Sequence, residues 1–290
     1  MKICLSCGFR FEASDWQCPS CHKSPPILDG LPAFAPSLAK ENDGFEAAHF
    51  AELAPLEANN FWFRSRNQLI QWALGRHFRD VDDFLEIGCG TGYVLSGLER
   101  AFPCLRLSGS EIHSAGLNYA QDRVNRCDLF QMDARSIPFD EEFDVIGAFD
   151  VLEHIAEDER VLSEMYRAIK PGGGIVLTVP QHAFLWSQAD EHACHVRRYS
   201  AEDLAGKVRN AGFTLVKSTS FVSLLLPLMA LARLKKRVPE SDYDPMSELK
   251  IGGVTNYILE KVLGFERILI RTGVSLPVGG SLLAIARKTK

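Results

Sequence analysis

The run Leu85-Glu86-Ile87-Gly88-Cys89-Gly90-Thr91-Gly92 constrains this chain more than any other. It joins a short apolar stretch, Asp83–Ile87, to a helical pattern, Tyr93–Arg100. Glycines at every second position let the backbone turn tightly and bring its amides against a ligand. A strand, a glycine loop and a helix in that order open a βαβ unit. A dinucleotide fingerprint needs Gly-x-Gly-x-x-Gly. Here the third glycine comes one residue early and Tyr93 takes the expected position, which disfavours a pyrophosphate. Glu86, two residues before the first glycine, suits a cationic ligand better than a phosphate.

From residue 83 onward, short apolar runs alternate with amphipathic stretches, the pattern of repeated βα units in an α/β fold. Strands are expected at Asp83–Ile87, Leu105–Glu111, Leu129–Met132, Phe143–Phe149, Gly174–Val179, Phe213–Phe221 and Ser281–Arg287. Most are apolar throughout, as strands buried on both faces should be. At 290 residues the chain accommodates one such domain, over 45–290, and a small module at 1–30. Residues 31–44, with Pro32, Pro36, Asn42, Asp43 and Gly44, read as a linker. Residues 45–79 read as helical and carry Phe61, Trp62, Phe63, Trp72 and Phe78.

The small module holds Cys4-x2-Cys7 and Cys18-x2-Cys21. Two facing turns of this kind make a tetrahedral thiolate cage suited to a structural Zn²⁺. A block this small cannot build a sufficient core, so the metal would supply its folding energy. A redox dithiol pair or free thiols are the alternatives. A disulfide framework is disfavoured because the start of the chain lacks the apolar core of a secretory signal. The segment resembles small zinc ribbons at the start of many bacterial proteins. Lys2, Arg10 and Lys23 balance Glu12, Asp15 and Asp29, and a phosphate-binding module should be basic. Nucleic acid is therefore disfavoured as a partner.

An acidic residue in a strand followed by Gly-x-Gly-x-Gly resembles the first motif of the class I S-adenosylmethionine-dependent methyltransferases. The resemblance continues in order through Glu111, Asp133, the strand Phe143–Phe149 with Asp150-Val151-Leu152-Glu153-His154, and Pro171-Gly172-Gly173-Gly174. It implies a Rossmann-like seven-stranded sheet with helices on both faces and S-adenosylmethionine as cofactor. The cofactor-binding set it implies is Glu86, Gly88, Cys89, Gly90, Gly92, Glu111, Ile112, Asp133, Ala134 and Asp150. Glu111 would grip the ribose hydroxyls, and a carboxylate can accept from both. Asp133 would lie near the adenine amino group, and Asp150 with the Leu-Glu-His turn would border the methionine part.

Residues 180–199 leave the fifth strand at the edge where open α/β sheets bind ligands, and they are dense in polar groups. Leu185-Trp186-Ser187, Asp190, His195 and Arg197-Arg198-Tyr199 resemble a bacterial methyltransferase subgroup. So does Phe61-Trp62-Phe63-Arg64-x-Arg66, which would form part of a cap. Substrate contacts are expected from Trp62, Arg64, Trp186, Asp190, Arg197, Arg198 and Tyr199. The alternative is a loop-fixing network in which Asp190 pairs with Arg197 or Arg198. His192, Cys194 and His195 make a poor metal site, because neighbouring residues rarely all point at one ion. His154 and His195 are the candidate general bases for a hydroxyl acceptor.

Residues 1–190 carry 16 basic and 28 acidic groups, and residues 191–290 carry 16 and 9. The basic part either faces an anionic partner or presents solvated helices. About 60 residues separate Phe221 from the last strand, giving an insert at 222–280. It opens with an apolar run, Val222–Ala232, followed by Arg233-Leu234-Lys235-Lys236-Arg237. That run is too short to span a bilayer. It suits packing, a homodimer face, a greasy-substrate pocket or a peripheral contact with the inner membrane of a cytoplasmic protein. The expected activity is methyl transfer to a small-molecule, glycan or lipid-linked acceptor. The rivals are an RNA methyltransferase using the ribbon as a clamp and a non-catalytic cofactor-binding scaffold.

Overall fold

Seven apolar runs assemble into one sheet in the computed structural model, which describes residues 1–39, 47–233, 244, 246 and 249–289. Two small hairpins precede it, β1 (Lys2–Ile3) with β2 (Arg10–Phe11), and β3 (Ile27–Leu28) with β4 (Leu31–Pro32). Helices α1 (Ala47–Glu57) and α2 (Phe61–His77) follow. The first half of the sheet runs β5 (Asp83–Ile87), α3 (Tyr93–Ala101), β6 (Arg106–Glu111), α4 (Ser114–Arg123) and β7 (Cys127–Gln131). The second runs β8 (Phe143–Phe149), α5 (Asp158–Ala168), β9 (Ile169–Pro180), α6 (Gln188–His192), α7 (Ala201–Asn210) and β10 (Phe213–Phe221). Helices α8 (Leu226–Arg233) and α9 (Gly253–Arg271) lead to β11 (Ser281–Lys288).

The strand order is β10-β11-β9-β8-β5-β6-β7. β7, β6, β5, β8 and β9 are parallel, and β11 lies antiparallel between β9 and β10. Alternate residues point to opposite faces. Phe84, Val145, Val176 and Leu283 thus join Leu69, Leu74, Val94 and Leu98 from α2 and α3. Leu85, Ile146, Leu177 and Ala284 join Leu162, Met165, Leu204 and Val208 from α5 and α7. Both faces are covered, which explains why these strands read as continuous apolar runs.

Three expectations change. The helical stretch at 45–79 is two helices, broken where the Asn60 side chain accepts from the Trp62 amide and caps α2. β9 starts at Ile169, so Pro171–Gly174 lies within the strand; the register slips between Phe143 and Val145, and a Cβ at Gly173 would sit 2.3 Å from the Asp144 carbonyl. The stretch 31–39 is docked on the sheet, and residues 40–44 of the expected linker lie outside the described residues. The Phe34 amide donates to the Gln131 carbonyl at 2.7 Å, and the Gln131 side chain donates to the Ala35 carbonyl and accepts from its amide.

Trp16 fixes the N-terminal module to the sheet. Its ring meets Phe34, Phe139 and Phe130 edge-on, with centroids 4.5, 5.4 and 5.9 Å away. The Ile3 amide donates to the Pro138 carbonyl and Arg10 pairs with Asp140. At the other end α9 packs along α2, where Glu260 takes both Nε and Nη2 of Arg64 at 2.9 and 2.7 Å. Buried Glu266 accepts the amides of Val222, Ser223 and Leu224. Leu228, Leu231, Tyr257, Ile258, Phe265 and Ile268 remain exposed on α8 and α9. Of the cationic cluster, Leu234, Lys235, Lys236 and Arg237 lie outside the described residues. Among the described residues no helix is long and apolar enough to cross a membrane.

Trp16→Ala is expected to lower stability by about 2–3 kcal/mol, because it removes an aromatic anchor that is only half-buried. The urea midpoint should fall while the far-ultraviolet circular dichroism of the folded chain stays unchanged.

Candidate active site

Strand order reverses at β5, whose neighbours β6 and β8 carry the chain away in opposite directions. A crevice therefore opens beyond the carboxyl ends of these strands. Gly88, Gly90 and Gly92 all have positive φ, at 66°, 51° and 73°. A Cβ on Gly88 would lie 2.5 Å from a Val151 methyl, so only glycine lets the turn pass the chain leaving β8. Cys89 is buried behind the loop, its amide on the Ser110 carbonyl.

Glu86 is 2% exposed and its Oε2 has no hydrogen-bond partner among the described residues. Burial drives its pKa well up; Arg66 opposes this, while Glu111 and Glu57 reinforce it. Glu111, at the end of β6, accepts from the amides of Gly90 at 3.0 Å, Ile112 at 2.8 Å and His113 at 3.2 Å. Its carboxylate thus ties the glycine loop to β6. Asp133 accepts from the Arg135 amide and guanidinium, and Ala134 beside it is buried. Asp150 has φ 58°, accepts from the Thr178 hydroxyl at 3.2 Å and pairs with Arg66.

Helices α1 and α2 cover this loop. A Cβ on Gly90 would meet the Phe50 ring at 3.6 Å, and the Nε2 atoms of His49 and His192 are 2.7 Å apart. Trp62 stacks on the Arg66 guanidinium at 4.4 Å. Arg64 departs from expectation: it binds Glu260 on α9 and the Ala58 carbonyl. Residues 62 and 66 are one helical turn apart and share a face, whereas residue 64 points away from it.

Much of the 180–199 polar set holds its own loop together. Asp190 is the N3 residue of a capping box with Ser187 and takes both Nε and Nη2 of Arg198, at 2.7 and 3.0 Å. Tyr199, expected at the substrate, is 1% exposed and donates its hydroxyl to Asp158 at 2.7 Å. Asp158 also pairs with Arg197 and Lys207, and Arg197 donates to the carbonyls of Ile155 and Ala156. Trp186 donates to Glu191 at 3.2 Å. Arg197, Arg198 and Tyr199 are therefore engaged within the loop and its supports, because each finds one of two buried carboxylates, Asp158 or Asp190.

The two candidate bases do come together, with ring centroids 4.7 Å apart. Burial, then the neighbouring His195, push His154 down to about 3, so its imidazole is neutral at physiological pH. His195 Nδ1 lies 2.9 Å from Asp190 Oδ1, which fixes the ring. Burial raises Asp190, but the hydrogen bonds from His195 and Arg198 outweigh it and hold the carboxyl well below its usual range.

In the N-terminal module the sulfurs of Cys4, Cys7, Cys18 and Cys21 lie within 4.8 Å of one another, and none forms a disulfide. The turns match: the Gly8 amide donates to the Cys4 carbonyl and the His22 amide to the Cys18 carbonyl, both at 2.8 Å. Such a donor set fits a tetrahedral thiolate ion. The sequence motifs contain Arg66 and Glu153 but give neither a role of its own. Arg66 was legible as the residue one turn after Trp62. Glu153 was visible as an acid in the apolar turn beside His154, but its complete burial depends on the fold.

A family model described as a methyltransferase domain matches residues 56–218, more than half of the chain. A "Probable S-adenosylmethionine-dependent methyltransferase" of Mycolicibacterium smegmatis is 28% identical over 54% of this chain and 61% of its own length. Phthiotriol/phenolphthiotriol dimycocerosates methyltransferase 1 of Mycobacterium ulcerans is 30% identical over 43% of this chain and 48% of its own. Each match thus spans less than two thirds of the relative. Among solved structures, a SAM-dependent methyltransferase of Thermotoga maritima superposes with TM-score 0.52, 18% identity and coverage of 83% of this chain and 96% of that one. The [4+2]-cyclase SpnF superposes with TM-score 0.54 and 21% identity over 79% and 83%. At these identities the likeness is one of fold.

Two substitutions test the site's electrostatics. Glu86 holds its proton longer folded than unfolded, so its contribution to stability is greatest below the unfolded pKa and is lost as pH rises through the raised folded value. Glu86→Gln removes that loss, and its melting temperature should gain on wild type between pH 5 and pH 8. Tyr199→Phe deprives Asp158 of one donor and should cost about 1–2 kcal/mol in a denaturant titration.

Proposed function

The chain belongs to the methyltransferase-domain family, and from that premise we propose that it transfers a methyl group from S-adenosylmethionine to a hydroxyl of a small-molecule, glycan or lipid-linked acceptor. The observation that carries this reading is Glu86, a buried carboxylate with an unpartnered oxygen beside the glycine loop. Such a group needs a cation, and S-adenosylmethionine carries an ammonium and a sulfonium. Gly88, Cys89, Gly90 and Gly92 would border the ligand with backbone. Glu111 and Ile112 would meet the ribose, Asp133 and Ala134 the adenine, and Asp150 the methionine part. The buried and paired states of Glu111 and Asp150 fit side chains already held in position.

When bound, S-adenosylmethionine supplies an electrophilic methyl group. Positioning by the chain then accounts for much of the rate. The Asp190-fixed imidazole of His195 accepts the acceptor's hydroxyl proton at Nε2, and the neutral, buried His154 ring lines the same space. Phe50 and Trp62, on the covering helices, help exclude water. Four convergent thiols support Zn²⁺ as a structural ion of the N-terminal ribbon.

Two observations favour a lipid-linked acceptor: a matched relative named for dimycocerosate lipids, and the exposed apolar residues of α8 and α9. The same face suits a peripheral membrane contact or a homodimer. The ribbon's balanced charge speaks against an RNA clamp. Because a fold neighbour is a cyclase, methyl transfer has to be measured directly.

Incubation with methyl-labelled S-adenosylmethionine and a fractionated cell extract should move label into the lipid or glycan fraction. Cofactor binding without transfer to any fraction would overturn the enzyme assignment in favour of a cofactor-binding scaffold. Glu86→Gln should weaken cofactor binding by about 2–5 kcal/mol, roughly 30-fold or more in Kd by calorimetry. His195→Ala should lower turnover by about 10²-fold or more while leaving that Kd near the wild-type value.

A further inference from the structure

Glu153 is fully buried in the turn after β8, and neither of its carboxylate oxygens has a hydrogen-bond partner among the described residues. Burial, then the charge of Asp150, push its pKa well up, while Arg66 and Arg198 oppose the shift. A carboxylate in this position carries a large desolvation cost unless something positive meets it. Two imidazoles face it. One ligand atom each from Glu153, His154 and His195 lie within 4.8 Å of one another.

We propose that Glu153, His154 and His195 bind one divalent transition-metal ion beyond the carboxyl ends of β8 and β9. Two imidazoles and a carboxylate are the donor set of open sites for ions such as Zn²⁺, with ligand distances of about 2.1 Å. Small rotamer changes bring the three atoms to that shell. The surroundings are those of a metal site. Metal-binding histidines are usually fixed through their other ring nitrogen by a carboxylate or the backbone. His195 is held in this way by Asp190 at 2.9 Å. The Val196 amide donates to the Glu153 carbonyl at 2.8 Å, which clamps the loop bearing His195 onto the turn bearing Glu153.

Three protein ligands leave a coordination position for an oxygen of the acceptor. An acceptor hydroxyl bound there would give up its proton to solvent water more readily, as metal-bound water does, before its oxygen takes the methyl group from the departing sulfur. His195 would then act as a ligand in place of the base role given above. Only this use of the ion rests on the proposed methyl transfer; the binding itself does not.

The test is a Co²⁺ titration of the intact chain after dialysis against a chelator. Co²⁺ on the ribbon thiolates shows sulfur-to-metal charge transfer in the near ultraviolet. Co²⁺ on nitrogen and oxygen donors shows only visible d–d bands. Wild type should take up one equivalent without charge transfer. Glu153→Gln, which keeps the shape and removes the charge, and His195→Ala should each bind that equivalent at least tenfold more weakly. Circular dichroism confirms that each variant is folded, and either folded variant suffices. Uptake by wild type of thiolate-bound Co²⁺ alone, or unchanged affinity in a folded variant, would overturn the proposal. Calorimetry with S-adenosylmethionine on the same samples separates the two ideas, since lost cofactor binding with intact d–d bands counts only against methyl transfer.

Discussion

Burial of β5 between β6 and β8 is the constraint on which the rest of the site depends. Phe84, Leu85 and Ile87 are inside, with helices against both faces of the sheet. Because all three strands run parallel, their loops leave from one edge. Because strand order reverses at β5, those loops diverge and leave a crevice. The glycine loop, Glu111, Asp150 and the Glu153 turn therefore meet in space without being close in sequence.

Two buried carboxylates then shape what stands opposite. Asp158 gathers Tyr199, Arg197 and Lys207, and Asp190 gathers Ser187, His195 and Arg198. A buried carboxylate is tolerated only when several donors satisfy it. Once they do, the loop between 181 and 199 has few alternatives, even with His182 and Cys194 at positive φ. Glu86 and Glu153 are the counterpart. They are as deeply buried, yet have oxygens without donors among the described residues.

The flanking parts brace this centre from both ends. Trp16 inserts among Phe34, Phe130 and Phe139, so the cysteine module is anchored beside β7. The stretch that composition marks as a linker is held there by Gln131, whose amide also reaches the Ile112 carbonyl next to Glu111. On the opposite side Arg64 joins α2 to α9, and Glu266 holds the start of the insert. Leu228 and Leu231 of α8 and Tyr257, Ile258, Phe265 and Ile268 of α9 stay exposed.

Sequence alone determined the strands of the large sheet, apart from the early start of β9, together with the glycine loop and the paired cysteine turns. Each is a local property: apolar runs reflect burial on both faces, positive φ selects glycine, and a Cys-x2-Cys turn sets its own sulfur spacing. Glu86 stood out by its place two residues before the first glycine, whereas Glu111, Asp133 and Asp150 came from the motif order of the resembled family. What only the tertiary structure decided is which polar groups pair. Arg64 meets Glu260 across 196 residues, Tyr199 meets Asp158 across 41, and His195 meets the Glu153 turn across a separate strand and loop. A charged side chain announces its chemistry but not its partner, because pairing depends on burial and on strand order, and neither is encoded within a few residues of the group itself.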